Sequence, residues 1–316
     1  MAPGKGLLAA DESFPTIEKR FKKLDIPSTE ENRRAYREML FTTGGLGDFI
    51  SGVILFDETL RQNTHDGIPL AAVLERRGIV PGIKVDKGTV PLANFPEEKI
   101  TEGLDGLRER LKEYYSFGAR FTKWRGVITI GESLPSRTCR EANAVNLARF
   151  AALSQEAGLV PIVEPEILMD GSHFIDRCET VTNETLPVVF AQLSAHRVKL
   201  SGMLLKPAMV LPGAESGQQV SDDEIAQRTV AALKRGVPAE VAGIVFLSGG
   251  QSPEQATRRL AAICRGGSMP WPLTFSFGRA LQDLALNAWK GRSENAATAQ
   301  SALLRVAQAN SAAVAR

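Results

Sequence analysis

Eight short apolar runs, separated by longer segments with helical periodicity, constrain the fold of this 316-residue chain more than any other feature. Apolar runs of this kind are typical of strands in a parallel sheet, because helices cover both faces of such a sheet. The runs are Gly6–Ala10, Gly52–Phe56, Val80–Val85, Arg120–Trp124, Val160–Val163, Met203–Leu205, Gly243–Leu247 and Leu273–Phe275.

The segments between the runs carry the start and stop signals of helices. Ser252–Glu254 combines an N-cap, a proline at the first helical position and an acidic residue in the first turn. The segment Glu141–Ala157 repeats apolar residues at helical spacing and stops at Gly158. Two further helices are predicted over Arg279–Trp289 and Glu294–Gln308.

Eight alternations of strand and helix, with no break in composition, predict an α/β fold that is a single (β/α)8 TIM barrel with extra C-terminal helices. We expect one domain over residues 1–316. A doubly wound open sheet is the alternative, but no glycine fingerprint follows the first run to support a dinucleotide-binding version of it.

Composition excludes several classes of protein. The net charge of +2 and the 23% of charged residues give no reason to expect a nucleic-acid partner. No apolar run approaches the roughly 18 residues of a membrane span, and the N-terminus lacks the pattern of a signal peptide. The chain has three cysteines that lie far apart in sequence, namely Cys139, Cys178 and Cys264. This odd number and wide spacing fit reduced thiols better than a disulfide framework or a zinc site. We therefore expect a cytoplasmic protein with no membrane partner.

Charged and polar side chains follow the runs where such a barrel builds its active site, at the C-terminal ends of the strands. Lys206 ends the run Met203–Leu205, and Pro207 holds it extended. Its amine can reach solvent, or it can lose its proton in an apolar setting and attack a carbonyl. The other residues at these ends are Asp11, Lys84, Asp86, Lys123, Arg125, Glu164, Glu166, Ser248, Gly249, Gly250, Ser276, Gly278 and Arg279.

Spacing brings several of these side chains together. Because side chains alternate faces along a strand, Lys123 and Arg125 share one face, and so do Glu164 and Glu166. Lysines and carboxylates in one water-excluding site can keep one amine neutral while the carboxylates move protons. Lys206, next to apolar residues, is expected to be that amine.

The loops after the last two runs predict an anion site. Gly249 and Gly250 follow Ser248, and Gly278 with Arg279 begins a helix, so backbone N–H groups can hold a phosphate there. We therefore expect a phosphorylated carbonyl substrate and a Schiff-base lysine. A metal centre or another cofactor is not predicted, because the three histidines lie in predicted loops or helices and at no strand end. They are His65, His173 and His196.

These residues lie in phrases that resemble class I fructose-1,6-bisphosphate aldolases, in order and over nearly the whole chain. The combination is specific, whereas no single phrase would be. The phrases are Gly4–Ser13, Thr29–Arg34, Gly52–Phe56, Glu58–Leu60, Gly82–Gly88, Phe121–Arg125, Val160–Leu168, Leu204–Pro207, Gly243–Ser252 and Leu273–Leu281.

The resemblance implies reversible retro-aldol cleavage of fructose 1,6-bisphosphate to glycerone phosphate and glyceraldehyde 3-phosphate, a step of glycolysis and gluconeogenesis. It implies a Schiff base on Lys206 and proton transfer by Glu164. It further implies that Asp11 and Lys123 hold and polarise the reacting carbons, and that Glu166 tunes the surroundings of the lysine.

For the substrate's two phosphates, the resemblance implies that Lys84 and Arg125 bind toward the C6 phosphate. Ser248, Gly249 and Arg279 are implied to grip the C1 phosphate. The neighbouring candidates for phosphate binding are Gly250, Ser276, Gly278, Ser13 and Thr16.

The chain departs from the family in three places. It ends at Ala313–Arg316 without the tyrosine that helps to protonate the enamine in animal-type members. Phe14–Thr16 replace small polar residues, with Thr16 as a stand-in for one phosphate contact. No counterpart of the family's N-terminal helix precedes Pro3–Gly6, so we expect either that a cap on the barrel bottom is missing or that the start is truncated. We expect a lower thermal stability than that of a longer relative.

A sugar bisphosphate is the small-molecule partner that the resemblance implies, together with a homo-oligomer, commonly a tetramer. Other ketose bisphosphates, such as sedoheptulose or tagatose bisphosphate, stay open as substrates. A non-catalytic scaffold is a further alternative, but it would have no reason to keep Lys206, Glu164, Asp11 and Lys123 together.

Overall fold

The computed structural model describes residues 2–315 and contains ten strands. The strands are β1 Gly6–Ala10, β2 Ile50–Leu55, β3 Val80–Lys84, β4 Thr89–Pro91, β5 Lys99–Thr101, β6 Phe121–Ile128, β7 Val160–Ile167, β8 Leu204–Leu205, β9 Gly243–Phe246 and β10 Leu273–Phe277. Eight of them close a parallel barrel in the order β1-β10-β9-β8-β7-β6-β3-β2, which confirms the predicted TIM barrel. The other two, β4 and β5, form a separate antiparallel pair that the sequence pattern did not predict.

Helices alternate with the barrel strands and pack on their outer faces. They are α1 Phe14–Lys22, α2 Glu30–Phe41, α3 Asp57–Arg61, α4 Leu70–Glu75, α5 Leu107–Ser116, α6 Arg137–Glu156, α7 Ile175–Ala195, α8 Asp222–Gly236, α9 Pro253–Arg265, α10 Arg279–Trp289 and α11 Ala296–Val314. Within residues 2–315, none of these helices is both long enough and apolar enough to cross a membrane.

Capping explains where several helices begin. The Ser252 side chain and the Gln255 side chain form a reciprocal capping box at the start of α9. The α6 helix begins four residues before the predicted Glu141, because the Ser136 side chain accepts a hydrogen bond from the backbone N–H of Cys139. The last helix was predicted over about Glu294–Gln308, whereas α11 begins at Ala296, after a single 3-10 turn over Ser293–Asn295, and ends at Val314.

Two barrel strands are longer than the apolar runs predicted. Pairing between β6 and β7 continues from Phe121 opposite Val160 to Ile128 opposite Ile167. The charged residues that end each apolar run therefore lie inside these strands rather than at their ends. The charged residues interrupt the hydrophobic pattern of the sequence but not the backbone hydrogen bonding between the two strands, because their side chains form ion pairs inside the barrel.

Below those charges, the barrel interior is filled by apolar side chains. The Phe121 ring occupies the space that a Cβ atom on Gly82 would need, and it lies close to Gly52 as well. A second, larger core fills the space between strands and helices, where Trp124 stacks on Phe150 with ring centroids 5.6 Å apart. The inner cluster consists of Leu7, Ala9, Ile54, Phe121, Ile162 and Val245.

Candidate active site

A cavity of about 880 Å³ opens where the barrel strands end in the loops that precede their helices. All fifteen site residues predicted from the sequence line it, which puts residues from seven barrel strands and their following loops around one space. They are Asp11, Ser13, Thr16, Lys84, Lys123, Arg125, Glu164, Glu166, Lys206, Ser248, Gly249, Gly250, Ser276, Gly278 and Arg279.

Lys206 lies directly after β8, and its backbone continues the pairing of that strand. Its N–H donates a hydrogen bond to the carbonyl of Val163 at 2.8 Å. The side chain is 4% exposed, and its Nζ lies 3.0 Å from Oε1 of Glu164. An amine held in this way has a carboxylate at hand to take its proton.

Lys123 lies at the centre of the charged layer. Its Nζ is 2.7 Å from Oδ2 of Asp11, 3.3 Å from Oε2 of Glu164 and 3.9 Å from Oδ2 of Asp86. Burial alone would lower the pKa of Lys123, but the charges of these carboxylates outweigh it and raise the pKa above its ordinary value. Lys123 is therefore a permanent cation at neutral pH.

The pKa of Asp11 is shifted in the opposite direction to that of Lys123. Burial raises the pKa of this carboxyl, but Lys123, with help from Lys206 and Lys84, outweighs burial and brings the pKa down to about 2. The side chain is consequently an anion throughout the physiological range of pH. Asp11 and Lys123 form a fixed ion pair beside the amine of Lys206.

Glu164 joins the two lysines through different oxygens. Its Oε1 faces Lys206, whereas its Oε2 is buried and has no aligned hydrogen-bond donor in the part of the chain that the structure describes. Lys123 is near enough to Oε2 for an ion pair but not aligned for a hydrogen bond. One oxygen of this carboxylate is thus placed to accept a hydrogen bond or a proton from a substrate.

Asp86 also belongs to the site, although its place at a strand end predicts no particular role for it. Its carboxylate pairs with Lys84, accepts from the backbone N–H of Arg125 at 3.3 Å and lies near Lys123. Burial lowers the pKa of Lys84, Asp86 opposes that effect, and the charge of Lys123 adds to it. The i, i+2 spacing of Lys84 and Asp86 was the signal, since alternation puts both side chains on one face.

Both cations predicted to bind the C6 phosphate are therefore held by carboxylates. Lys84 pairs with Asp86, and the guanidinium of Arg125 pairs with Glu166. Burial lowers the pKa of Arg125, but Glu166 outweighs it and raises the pKa. A phosphate that binds there must compete with these carboxylates for the same donors.

The opposite wall of the cavity is built for an anion. Gly249 and Gly250 have φ values of 51° and 83°, a left-handed conformation that glycine adopts without strain. Arg279 begins α10, where free N–H groups and the helix dipole favour negative charge. Within residues 2–315, Arg279 has no carboxylate partner and Ser276 Oγ is buried without a hydrogen-bond partner.

Ser13 and Thr16 lie at the start of α1, where their hydroxyl oxygens are 3.2 Å apart. Phe14 turns away from them and packs edge-on against Phe56, with the Arg33 guanidinium 4.7 Å from its ring centroid. The bulky replacement at position 14 therefore leaves the two hydroxyls at the cavity.

Known proteins resemble this chain over nearly its whole length. A family model described as "Glycolytic: Fructose-bisphosphate aldolase class-I" matches residues 1–316. A probable fructose-bisphosphate aldolase class 1 of Xanthomonas campestris pv. campestris is 56% identical over 98% of this chain and 93% of its own. Fructose-bisphosphate aldolase 4, cytosolic, of Arabidopsis thaliana is 56% identical over 98% of this chain and 79% of its own.

A solved structure agrees with these matches. The fructose-bisphosphate aldolase of Plasmodium falciparum superposes with a TM-score of 0.98 at 50% identity, covering 99% of this chain and 91% of that one. The fold, the sequence and the charged cavity at the strand ends thus all indicate the same family. The chain belongs to the class I fructose-bisphosphate aldolase family.

Proposed function

We propose that this chain cleaves fructose 1,6-bisphosphate reversibly with Lys206 as the nucleophile. The observation that carries the proposal is the buried contact of 3.0 Å between Lys206 Nζ and Glu164 Oε1. Glu164 pairs with Lys206 and also lies near the permanently charged Lys123. Such a buried arrangement stabilises the fold little, because the cost of desolvation offsets the attraction between the charges. Lys206 has clear value as a nucleophile beside its base.

In the first stage, Glu164 takes a proton from Lys206, and the neutral amine attacks the C2 ketone. The π electrons of the ketone move to its oxygen, and a second proton passes from the amine nitrogen to this oxygen to give the carbinolamine. Glu164 then returns the proton to the hydroxyl of the resulting carbinolamine, which leaves as water. The product is an iminium ion that joins Lys206 to C2, a group that can accept an electron pair.

In the second stage, Glu164 removes the proton of the C4 hydroxyl. The C3–C4 bond breaks, its electron pair moves into the iminium to form an enamine, and glyceraldehyde 3-phosphate leaves. Lys123 and Asp11 hold the reacting oxygens in place beside the carboxylate. The enamine then takes up a proton at C3, and water hydrolyses the imine to release glycerone phosphate and Lys206.

The phosphates anchor the substrate at the two sides of the cavity. We assign the C1 phosphate to Ser248, Gly249 and Arg279, where backbone N–H groups and an unpaired guanidinium favour an anion. The C6 phosphate is assigned toward Lys84 and Arg125, which would exchange their carboxylate partners for it. The neighbouring candidates are Gly250, Ser276, Gly278, Ser13 and Thr16.

The assignment of Lys206 is tested by substitution. We expect Lys206→Met to lower kcat for fructose 1,6-bisphosphate cleavage by about 10⁴-fold or more, as loss of a nucleophile does. The matched control is Lys234→Met, because Lys234 is an exposed lysine on α8 that does not line the cavity. Activity of Lys206→Met within tenfold of the wild type would contradict the proposal.

We further propose that the chain is a cytoplasmic homotetramer, an assignment that rests on the family resemblance and on relatives named as cytosolic. Light scattering after size-exclusion chromatography tests the assembly. The expected mass is near four times the 34.2 kDa of one chain. The mass of a single chain would contradict it.

A further inference from the structure

A buried polar network behind the cavity joins the strand end that carries Asp11 to the helix that begins with Arg279. Its centre is Gln282, one turn into α10, whose side chain is fully buried and does not line the cavity. A buried amide costs free energy unless its polar atoms find partners. The partners of this amide therefore indicate what it does.

The nitrogen of Gln282 holds the end of β1. Its Nε2 donates to the carbonyl of Ala9 at 2.7 Å and to Oε1 of Glu12 at 2.9 Å. Backbone pairing between β1 and β10 stops one residue before Ala9. The amide thus continues the link between these two segments past their last paired residues, and its two acceptors lie on either side of Asp11 in the sequence.

The oxygen of Gln282 is fixed as well. Its Oε1 accepts hydrogen bonds from the hydroxyl of Tyr36 at 3.0 Å and from Nη1 of Arg37 at 3.4 Å, both of which are buried residues of α2. Arg37 also donates to Oε2 of Glu12 at 2.7 Å. Because all donors and acceptors of the amide are matched, this network holds its members in one arrangement.

The start of α10 packs against the same strand end. A Cβ atom on Gly278 would lie 3.2 Å from the carbonyl oxygen of Ala9, so the two backbones are already in close contact. Arg279, the next residue, lines the cavity, as Asp11 does. The position of Asp11 relative to Arg279 is consequently set where Gln282 makes its hydrogen bonds.

We propose that Gln282 is a positioning residue for cleavage of the C3–C4 bond, because it holds Asp11 in a fixed position relative to Arg279. This inference rests on the proposed function, and it adds a residue that touches neither the substrate nor the reacting atoms. Since α10 also packs on α11, the strand end with Asp11 is the part that should shift when the network is lost. A misplacement of about 1 Å can lower a rate by about 10²-fold.

Formation of the Schiff base should survive the loss of Gln282. Glu164 lies on β7 and Lys206 directly follows β8, and none of the four hydrogen bonds of Gln282 reaches these strands. The proposal therefore predicts that the step after imine formation slows, whereas attack of the amine on the ketone continues.

The test compares two buried amides. Gln282→Met keeps the length of the side chain but removes its hydrogen bonds. The matched control is Asn310→Leu on α11, because Asn310 is equally buried but bonds to Val306 and Thr257, away from the cavity. We would measure kcat and KM for fructose 1,6-bisphosphate and quench a sample with borohydride during turnover. Mass spectrometry then separates the six-carbon adduct of the substrate from the three-carbon adduct of glycerone phosphate on Lys206.

We expect kcat to fall about 10- to 100-fold in Gln282→Met, with KM within about 3-fold of the wild type. The six-carbon adduct should become the main trapped species, because cleavage is slowed and imine formation is not. Asn310→Leu should keep kcat within about 2-fold of the wild type. It should also keep the wild-type proportion of the two adducts, although it too loses buried hydrogen bonds.

A second variant covers the case in which Gln282→Met does not fold. Tyr36→Phe removes only the hydroxyl that fixes Oε1 of Gln282, so we expect a kcat about 2- to 5-fold lower and the same shift toward the six-carbon adduct. An unchanged proportion of adducts in whichever variant folds, or an equal shift in Asn310→Leu, would overturn the positioning role. A wild-type chain that forms no adduct would instead overturn the proposed function.

Discussion

The two ends of the barrel interior are filled in opposite ways, and the same strands supply both. On β6, Phe121 belongs to the apolar layer and Lys123 to the charged layer above it. On β7, Ile162 and Glu164 make the same change within two residues. Because residues i and i+2 share a face, each strand continues its inward row from one layer into the next.

On each of these strands, the residue that fills the apolar layer and the residue that belongs to the charged layer are only two positions apart. The apolar layer removes large side chains from water, which stabilises the fold. The charged layer buries lysines and carboxylates whose attraction is largely offset by desolvation, so its contribution to stability is a few kcal/mol at most. Substitutions in the two layers should therefore affect different measurements.

The largest expected effect is on catalysis in the charged layer. We expect Glu164→Gln to lower kcat by about 10²- to 10⁴-fold, because the amide has nearly the same shape but cannot accept the proton of Lys206 or of the substrate. Steady-state kinetics with fructose 1,6-bisphosphate measure it. A kcat within threefold of the wild type would mean that Glu164 is not the proton carrier.

The next effect is on stability in the apolar layer. We expect Ile162→Ala to lower the free energy of unfolding by about 2–5 kcal/mol through loss of buried surface and the cavity left behind. Val160→Ala, on the same strand but 40% exposed, is the matched control and should change it by less than about 1 kcal/mol. Urea denaturation measures both. If Ile162→Ala lowered kcat as strongly as Glu164→Gln does, the separation of the two layers would fail.

The smallest expected effect is a pH dependence that only the charged layer can have. The pKa of Asp11 falls from its ordinary 3.8 to about 2 in the folded chain. A carboxyl with a lowered pKa stabilises the fold above its unfolded pKa, and this stability is lost as the pH falls through the folded value. Asp11 should therefore contribute about 2 kcal/mol that disappears between about pH 4 and pH 2.

Denaturation curves at a series of pH values compare Asp11→Asn with the wild type. The variant should lose stability less steeply over that interval, whereas Ile162→Ala should run parallel to the wild type. An identical slope in Asp11→Asn and the wild type would show that the carboxylate is not stabilised by Lys123.

Much of this arrangement could be predicted because it follows from the local pattern. The apolar runs locate the eight barrel strands, and the alternation of faces pairs Lys123 with Arg125 and Glu164 with Glu166. Trp124 lies on the opposite face, against Phe150 of α6, as alternation requires. The fifteen predicted site residues therefore meet in one cavity. Their individual roles stay predictions.

What could not be predicted depends on contacts between distant segments. Charged residues interrupt the apolar runs after Trp124 and Val163, so the continuation of β6 and β7 through these charges is visible only from the pairing of the two strands. The ion pair between Arg125 and Glu166 depends on register, which a single strand does not fix.

Chemical trapping of the Schiff base tests the proposed role of Lys206 as the nucleophile. The chain is incubated with glycerone phosphate, reduced with borohydride, digested and analysed by mass spectrometry. We predict one reduced adduct, on Lys206, that is lost in Lys206→Met and retained in Lys234→Met. An adduct on Lys84 or Lys123 instead, or no adduct from a chain that cleaves the substrate, would show that Lys206 is not the nucleophile.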